Sequence, residues 1–195
     1  MKLATISVLT LSFVCASSAL AQSHPQARDG FTISVGAGVG SAGATCDGCG
    51  TDRETAPALY LRLGGAYRPN LILGGEVNGW SKTVKDGGDE GTITVATLNA
   101  IAQWYPDAAG GFFVAGGLGV GSIKVEFKVP GVATISDKTT GLGYQVGAGY
   151  DIRLGTNFSL TPYATFFGTA GGKVESNKAK VDANVAQIGL GLTWH

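Results

Sequence analysis

The run Leu142-Gly143-Tyr144-Gln145-Val146-Gly147-Ala148-Gly149-Tyr150-Asp151-Ile152-Arg153-Leu154 decides the fold. Leu142, Tyr144, Val146, Ala148, Tyr150, Ile152 and Leu154 make one set of alternate positions wholly apolar, while the other set holds glycine, Gln145, Asp151 and Arg153. A period of two places these sets on opposite faces of a β-strand, one against lipid or core and the other lining a polar interior. Similar strands are read at about 31–41, 57–67, 71–83, 92–105, 112–127, 158–170 and 181–194, making eight with 142–154.

The connections alternate long and short: 42–56, 68–70, 84–91, 106–111, 128–138, 155–157 and 171–180. The long ones are polar, and short ones such as Arg68-Pro69-Asn70 and Gly155-Thr156-Asn157 hold turn residues. An even number of spanning strands, with short turns at one rim and long loops at the other, predicts an all-β fold. The expected architecture is an eight-stranded antiparallel up-and-down transmembrane β-barrel with both termini in the periplasm. No segment beyond the first residues approaches the 18 continuous apolar residues of a membrane helix.

Aromatic placement agrees with a barrel. Tyr67, Trp104, Tyr105, Phe112, Phe113, Phe158 and Trp194 flank the short connections or the end of the last strand, where a periplasmic girdle belongs. Tyr60, Trp80, Phe127 and Phe167 lie toward the long loops and are expected in the outer girdle. Alternation is also compatible with a soluble sandwich or a lipocalin-like barrel, but there the apolar face points inward and repeated glycines would underfill the core. The chain has 32 glycines in 195 residues, over twice the usual share of about 7%. Six prolines without a triplet repeat exclude collagen, and 14 Lys+Arg against 14 Asp+Glu exclude a basic nucleic-acid surface.

Lys2, the apolar run Leu3 to Val14 and the small-residue site Ala19-Leu20-Ala21 have the layout of a secretory signal peptide. Residues 1–21 are therefore expected to be removed, leaving a barrel domain over 22–195. A lipoprotein reading would use Cys15, but the bulky Phe13 and Val14 before it fit a lipidation site poorly.

The last strand, Gln187-Ile188-Gly189-Leu190-Gly191-Leu192-Thr193-Trp194, reads polar, x, Gly, x, x, apolar, x, aromatic. Through Gln187, Gly189, Leu192 and Trp194 it resembles the C-terminal signal recognised by the outer-membrane barrel assembly machinery, with His195 as one extra residue. Together with Phe113-Val114-Ala115-Gly116-Gly117-Leu118-Gly119-Val120-Gly121 and Gly147 to Gly155, this makes the chain resemble the small outer-membrane β-barrel family of opacity-type porins and OmpA/OmpX-type barrels. The resemblance implies an eight-stranded barrel in the bacterial outer membrane, but no single activity. With nothing after His195, a cell-wall tether of the OmpA kind is not expected.

Several groups are candidates for chemistry. Alternation sends Arg62, Glu76, Asp151 and Arg153 into the lumen, with Lys124 and Glu126 nearer its outer rim. Confined charges must be paired, so the four form either a plugging network or a selectivity constriction. Cys46-Asp47-Gly48-Cys49 lies in the first long loop, and in an exported protein such a pair reads as a disulfide, with a reduced or metal-bound pair as the alternative. Only Asp47, Asp52 and Glu54 are nearby to complete a metal site, and no His is. Gly38-Val39-Gly40-Ser41-Ala42-Gly43 matches G-x-G-x-x-G without the helix that would hold a pyrophosphate. Pro162 interrupts the seventh strand and marks a bulge or irregularity.

His24 and His195 are the only histidines, and neither lies on the wall near the outer rim, so the Ser/His hydrolases and His-dependent proteases of outer membranes cannot be assembled. Acyl transfer through other residues is the remaining enzymatic reading. The expectation is a non-enzymatic monomer without cofactors and without nucleic-acid partners. Its lumen is filled, and its long loops meet lipopolysaccharide, other cells or an extracellular ligand. The alternative is a narrow porin-like channel for small, including hydrophobic, solutes.

Overall fold

The computed structural model describes residues 28–46, 53–86, 89–128, 131, 134–174 and 180–195. Strands β1 (Phe31–Cys46), β2 (Glu54–Arg68), β3 (Leu71–Asp86), β4 (Asp89–Trp104), β5 (Phe112–Lys128), β6 (Ile135–Tyr150, resuming at Ile152–Arg153), β7 (Phe158–Val174) and β8 (Lys180–Trp194) follow in order. Each pairs antiparallel with the next, and β8 pairs antiparallel with β1, so the sheet closes into an eight-stranded barrel. No described helix is long and apolar enough to cross a membrane. We call the rim carrying residues 69–70, 105–111 and 154–157 the lower rim, and the opposite one the upper rim.

In the part of the wall nearer the lower rim, polarity is inverted relative to a water-soluble barrel. Ile33, Val35, Leu59, Leu61, Leu118, Val120, Val146 and Leu190 are exposed on the outside, whereas Ser34, Arg62, Glu76, Asn78, Asn99, Gln145 and Thr161 are buried inside. Only a lipid exterior makes this arrangement favourable, because in water it would expose the apolar surface and bury polar groups. Tyr67, Trp104, Phe112, Phe158 and Trp194 face outward along the lower rim, as a lipid–water interface favours. Tyr105 and Phe113, read into the same girdle from sequence, instead point inside and are fully buried.

The strands run further than the alternation indicated. β3 and β4 are paired up to Asp86↔Asp89, inside the segment read as a loop over 84–91. β6 begins at Ile135 rather than Leu142, held by pairing of Ile135 to Gly141 with Gly121 to Phe127. These extensions carry a second polarity. On β5 the outward series Phe112, Val114, Gly116, Leu118, Val120 continues as Ser122, Lys124, Glu126, Lys128, while the inward series turns from Gly117, Gly119, Gly121 to Ile123, Val125, Phe127. β3 and β4 switch at the same level, with Ser81, Thr83, Lys85 and Thr94, Thr92, Glu90 outside and Trp80, Val84 and Val95, Ile93 inside. The alternation changes phase without a bulge, producing an upper collar built like a water-soluble barrel.

This phase change corrects several sequence expectations. Lys124 and Glu126 do not line the lumen; they point outward and pair with each other at 2.9 Å. Trp80 and Phe167 are buried inside rather than set in an outer girdle, and Phe127 belongs to the inner face at the upper rim. Tyr60, read into the same girdle, is also inside, but below the phase change, on the lumen face it shares with Arg62. The upper connections are shorter than the loops read from sequence, because much of each is paired strand. Pro162 keeps register with Leu190 on β8. On its other side β6 is interrupted at Asp151, between the pairs Gly149↔Tyr163 and Ile152↔Leu160, so the missing proline N–H falls where the ladder is open. True register shifts lie elsewhere, at Ala66/Arg68, Thr140/Leu142 and Thr169/Gly172. The segment 1–21, Cys49 and the side chain of Cys46 lie outside the described residues.

Candidate functional site

The lumen is filled in layers set by the cross-strand register. In the lower half Arg62 on β2 stands directly opposite Glu76 on β3, with Nε 2.5 Å from Oε2. Arg62 also donates through Nη1 to Gln103 Oε1 at 2.8 Å, and Gln103 Nε2 donates to the Tyr105 hydroxyl at 2.6 Å. Tyr105 in turn donates to Asp151 Oδ2 at 2.8 Å, and Thr161 donates to Asp151 Oδ1 at 2.7 Å. The chain continues through Thr161, Thr193, Ser34 and Tyr60, with hydroxyl separations of 2.9, 2.8 and 2.7 Å. One hydrogen-bonded web therefore crosses the barrel from β3 to β8. Burying the Arg62–Glu76 pair is tolerable because each charge has its partner in place.

Two tyrosines close the section beside this web. Tyr60 and Tyr163 meet edge to face with ring centroids 4.7 Å apart, and Gln187 donates to the Tyr163 hydroxyl at 2.5 Å. A side chain at Gly36 or Gly191 would collide with Tyr60, so glycine on the wall is what lets the ring lie across the lumen.

Below, Arg28 seals the lower mouth. Its guanidinium lies 3.4 Å over the Tyr105 ring and donates to the carbonyls of Ala108 and Gly110 at 2.8 and 2.6 Å. His195 folds back beneath the web, its amide bonded to Asn157 O at 2.9 Å and its ring buried. Ser159 Oγ and Asp151 Oδ2 lie 3.3 and 3.7 Å from the same nitrogen, Nε2. Nδ1 has no hydrogen-bond partner. A Ser-His-Asp relay needs the acid on one imidazole nitrogen and the nucleophile on the other, so this trio is not arranged for acyl transfer. Burial, helped by Arg153 and Arg28 and opposed by Asp151, lowers the His195 pKa to about 4.

Above the web, Asn78 and Asn99 both donate to Gln145 Oε1, at 2.8 and 2.9 Å. One rung higher the interior turns apolar. Ala58, Trp80, Val95, Ile123, Phe167 and Val185 form a single buried cluster, and Trp80 spends its one polar atom on Gly40 O at 2.9 Å. The lumen is thus blocked twice in succession, by a polar web and by an apolar plug.

The structure brings Arg62 and Glu76 into contact and sets Asp151 lower, bound to Tyr105 and Thr161. Arg153 lies near the lower mouth and donates to Thr156 O at 3.0 Å. Gln187 lies inside, whereas Leu192 and Trp194 face outward. Sequence reasoning missed Gln103, Tyr105 and Arg28 as members of the web. Gln103 was legible by alternation, since it shares a face with Asn99 on β4; Arg28 precedes the first strand and carries no pattern. Among the described residues no group of His, Cys, Asp and Glu is placed to hold a metal.

Comparison with known proteins places this geometry. The model of the outer membrane protein beta-barrel domain matches residues 6–193. The structure of Ail, the attachment invasion locus protein of Yersinia pestis, in complex with the heparin analogue sucrose octasulfate aligns with a TM-score of 0.62 at 17% identity, covering 85% of this chain and 99% of that one. Neisserial surface protein A aligns with a TM-score of 0.56 at 15% identity over 85% and 97% of the two chains. OprG from Pseudomonas aeruginosa aligns with a TM-score of 0.50 at 17% identity over 87% and 99%. At these identities the likeness is one of fold. No curated protein sequence matches the chain.

Proposed function

Because this chain belongs to the outer membrane protein beta-barrel family, we propose that it serves the bacterial outer membrane as a closed, non-enzymatic barrel presenting its upper collar and connections to the surroundings. One observation carries this reading: the Arg62–Glu76–Gln103–Tyr105–Asp151 web and the Trp80–Phe167–Val185 plug obstruct the lumen at successive levels. An eight-stranded barrel is just wide enough for its side chains to fill. Surface interaction then falls to the collar, where Lys85, Lys124, Glu126, Lys128 and Lys138 project outward beside the headgroups of lipopolysaccharide. Residues 1–21 direct export, and Gln187, Gly189, Leu192 and Trp194 are read by the assembly machinery.

The test is single-channel recording of the refolded protein in a planar bilayer, with heat-modifiable gel mobility to establish folding. Folded protein without discrete openings is the expected result. Reproducible unitary openings would replace this reading with a narrow channel gated at the Arg62–Glu76 level. N-terminal sequencing of protein recovered from membranes should begin at Gln22; an uncleaved Met1 would overturn the export signal.

A further inference from the structure

The collar's inner face is not fully covered. Three rows cross β3, β4 and β5 in register: Trp80–Val95–Ile123, Lys82–Ile93–Val125 and Val84–Gly91–Phe127. The lowest row is buried in the apolar plug. The upper two are not, and Val84, Ile93 and Phe127 are 57%, 45% and 56% exposed although they share the plug's face. Together with Trp80 and Val125 they enclose a cavity of about 250 Å³. A second lobe of about 140 Å³, lined by Ala42, Val95, Ile123 and Ala183, adjoins it through Trp80 and Ile93. The Phe127 ring lies over Gly91, 3.5 Å from where a side chain would begin.

The wall offers a ligand almost nothing but carbon. The indole nitrogen of Trp80 is committed to Gly40 O, and the Thr92 hydroxyl is bonded to Thr83 on the outer face. Lys82 and Glu54, the two charged groups at the cavity's edge, are paired with each other. A wall that is otherwise apolar, and whose two charges, Lys82 and Glu54, already neutralise each other, disfavours an ion and favours an uncharged apolar molecule. A cavity of about 150 Å³ lined by apolar side chains holds benzene, so the larger lobe suits a substituted single ring.

We infer that the upper collar is a binding site for a small uncharged apolar molecule, of the size of a substituted monocyclic aromatic, seated on Trp80 between Ile93, Val125 and Phe127. The site ends blindly on the plug and in this rests on the closed-lumen reading, whereas saturable binding at Trp80 is read out separately from conductance.

The three tryptophans provide the test. Protein carrying 5-fluorotryptophan, folded in lipid nanodiscs, is titrated with p-xylene and observed by ¹⁹F NMR. Trp104 and Trp194 face the lipid and report p-xylene dissolved there, as a shift rising linearly with concentration. Trp80 should instead show a saturable shift, with its midpoint raised at least tenfold by Val125→Asp; Phe127→Ser at the rim replaces that variant should it fail to insert. Benzoate, similar in size but charged, should leave Trp80 unmoved. A merely linear Trp80 response, a saturable one that neither variant weakens, or an equal response to benzoate would overturn the proposal. So would a Trp80 resonance that answers p-xylene only after Val129→Gly and Val132→Gly, since the chain's own connection would then be the occupant.

Discussion

Val120 and Ser122 leave the same face of β5 at successive outward positions, and between them the exterior of the barrel changes from apolar to polar. The boundary recurs between Gly79 and Ser81 on β3 and between Ala96 and Thr94 on β4, which pair as Gly79 with Ala96 and Ser81 with Thr94. A nitroxide at position 120 should therefore be more accessible to dissolved oxygen, and one at position 124 to an aqueous nickel chelate. Equal chelate access at both positions would place the membrane boundary elsewhere.

The Arg62–Glu76 pair is a stability element under the closed-lumen reading. Glu76→Gln leaves a buried guanidinium without its counter-ion, and urea titration in lipid vesicles should show a loss of about 3–5 kcal/mol. Replacing both partners, as Arg62→Leu with Glu76→Leu, should lose clearly less than Glu76→Gln alone. Strict additivity of the single changes would mean that the pair is not coupled.

His195 makes stability sensitive to acid. Its folded pKa is depressed to about 4 while an unfolded histidine titrates near 6.5, so within that window the unfolded chain binds a proton that the folded chain does not. Stability should be fully present above about pH 6.5 and fall as the pH drops toward 4, by on the order of 3 kcal/mol. The groups around the ring are Asp151, Arg153, Arg28 and Ser159. His195→Gln should flatten this segment of the profile, and an unchanged slope would assign it to another group.

The glycine wall around Tyr60 is testable by substitution and rescue. Gly191→Ala places a methyl against the Tyr60 hydroxyl and should cost about 1–3 kcal/mol through overpacking. Tyr60→Phe in the same chain removes the colliding oxygen and should recover part of that loss. If the double variant is no more stable than Gly191→Ala, the clash lies elsewhere.

How far the sequence revealed all this depends on which solvent each residue faces. Alternation from Leu142 to Leu154 identified β6 because lipid outside and polar groups inside enforce the pattern there. It failed for Ile135 to Gly141, where the outside becomes aqueous and the pairing partner, not the pattern, fixes the strand. The same change misplaced Lys124, Glu126, Trp80 and Phe167, since a single phase was carried along strands that contain two. Arg62 and Glu76 were visible as inward charges, and their direct opposition follows from a register that no local pattern encodes. The aromatic-girdle rule sends Tyr105 to the lipid interface because it stands beside a short connection, although its parity with Asn99 and Gln103 of β4 points it inside.

The outward charges of the collar also bear on how the barrel reaches its place. Lys85, Glu90, Lys124, Glu126, Lys128 and Lys138 stand beyond the apolar belt on paired hairpin ends. For the belt to span, these ends must pass the hydrocarbon first, each lysine meeting a barrier of about 2–4 kcal/mol at the midplane. Once across, the same barriers oppose return. The apolar belt favours the inserted state, and these side chains, which never touch the bilayer core in the finished protein, make its reversal slow.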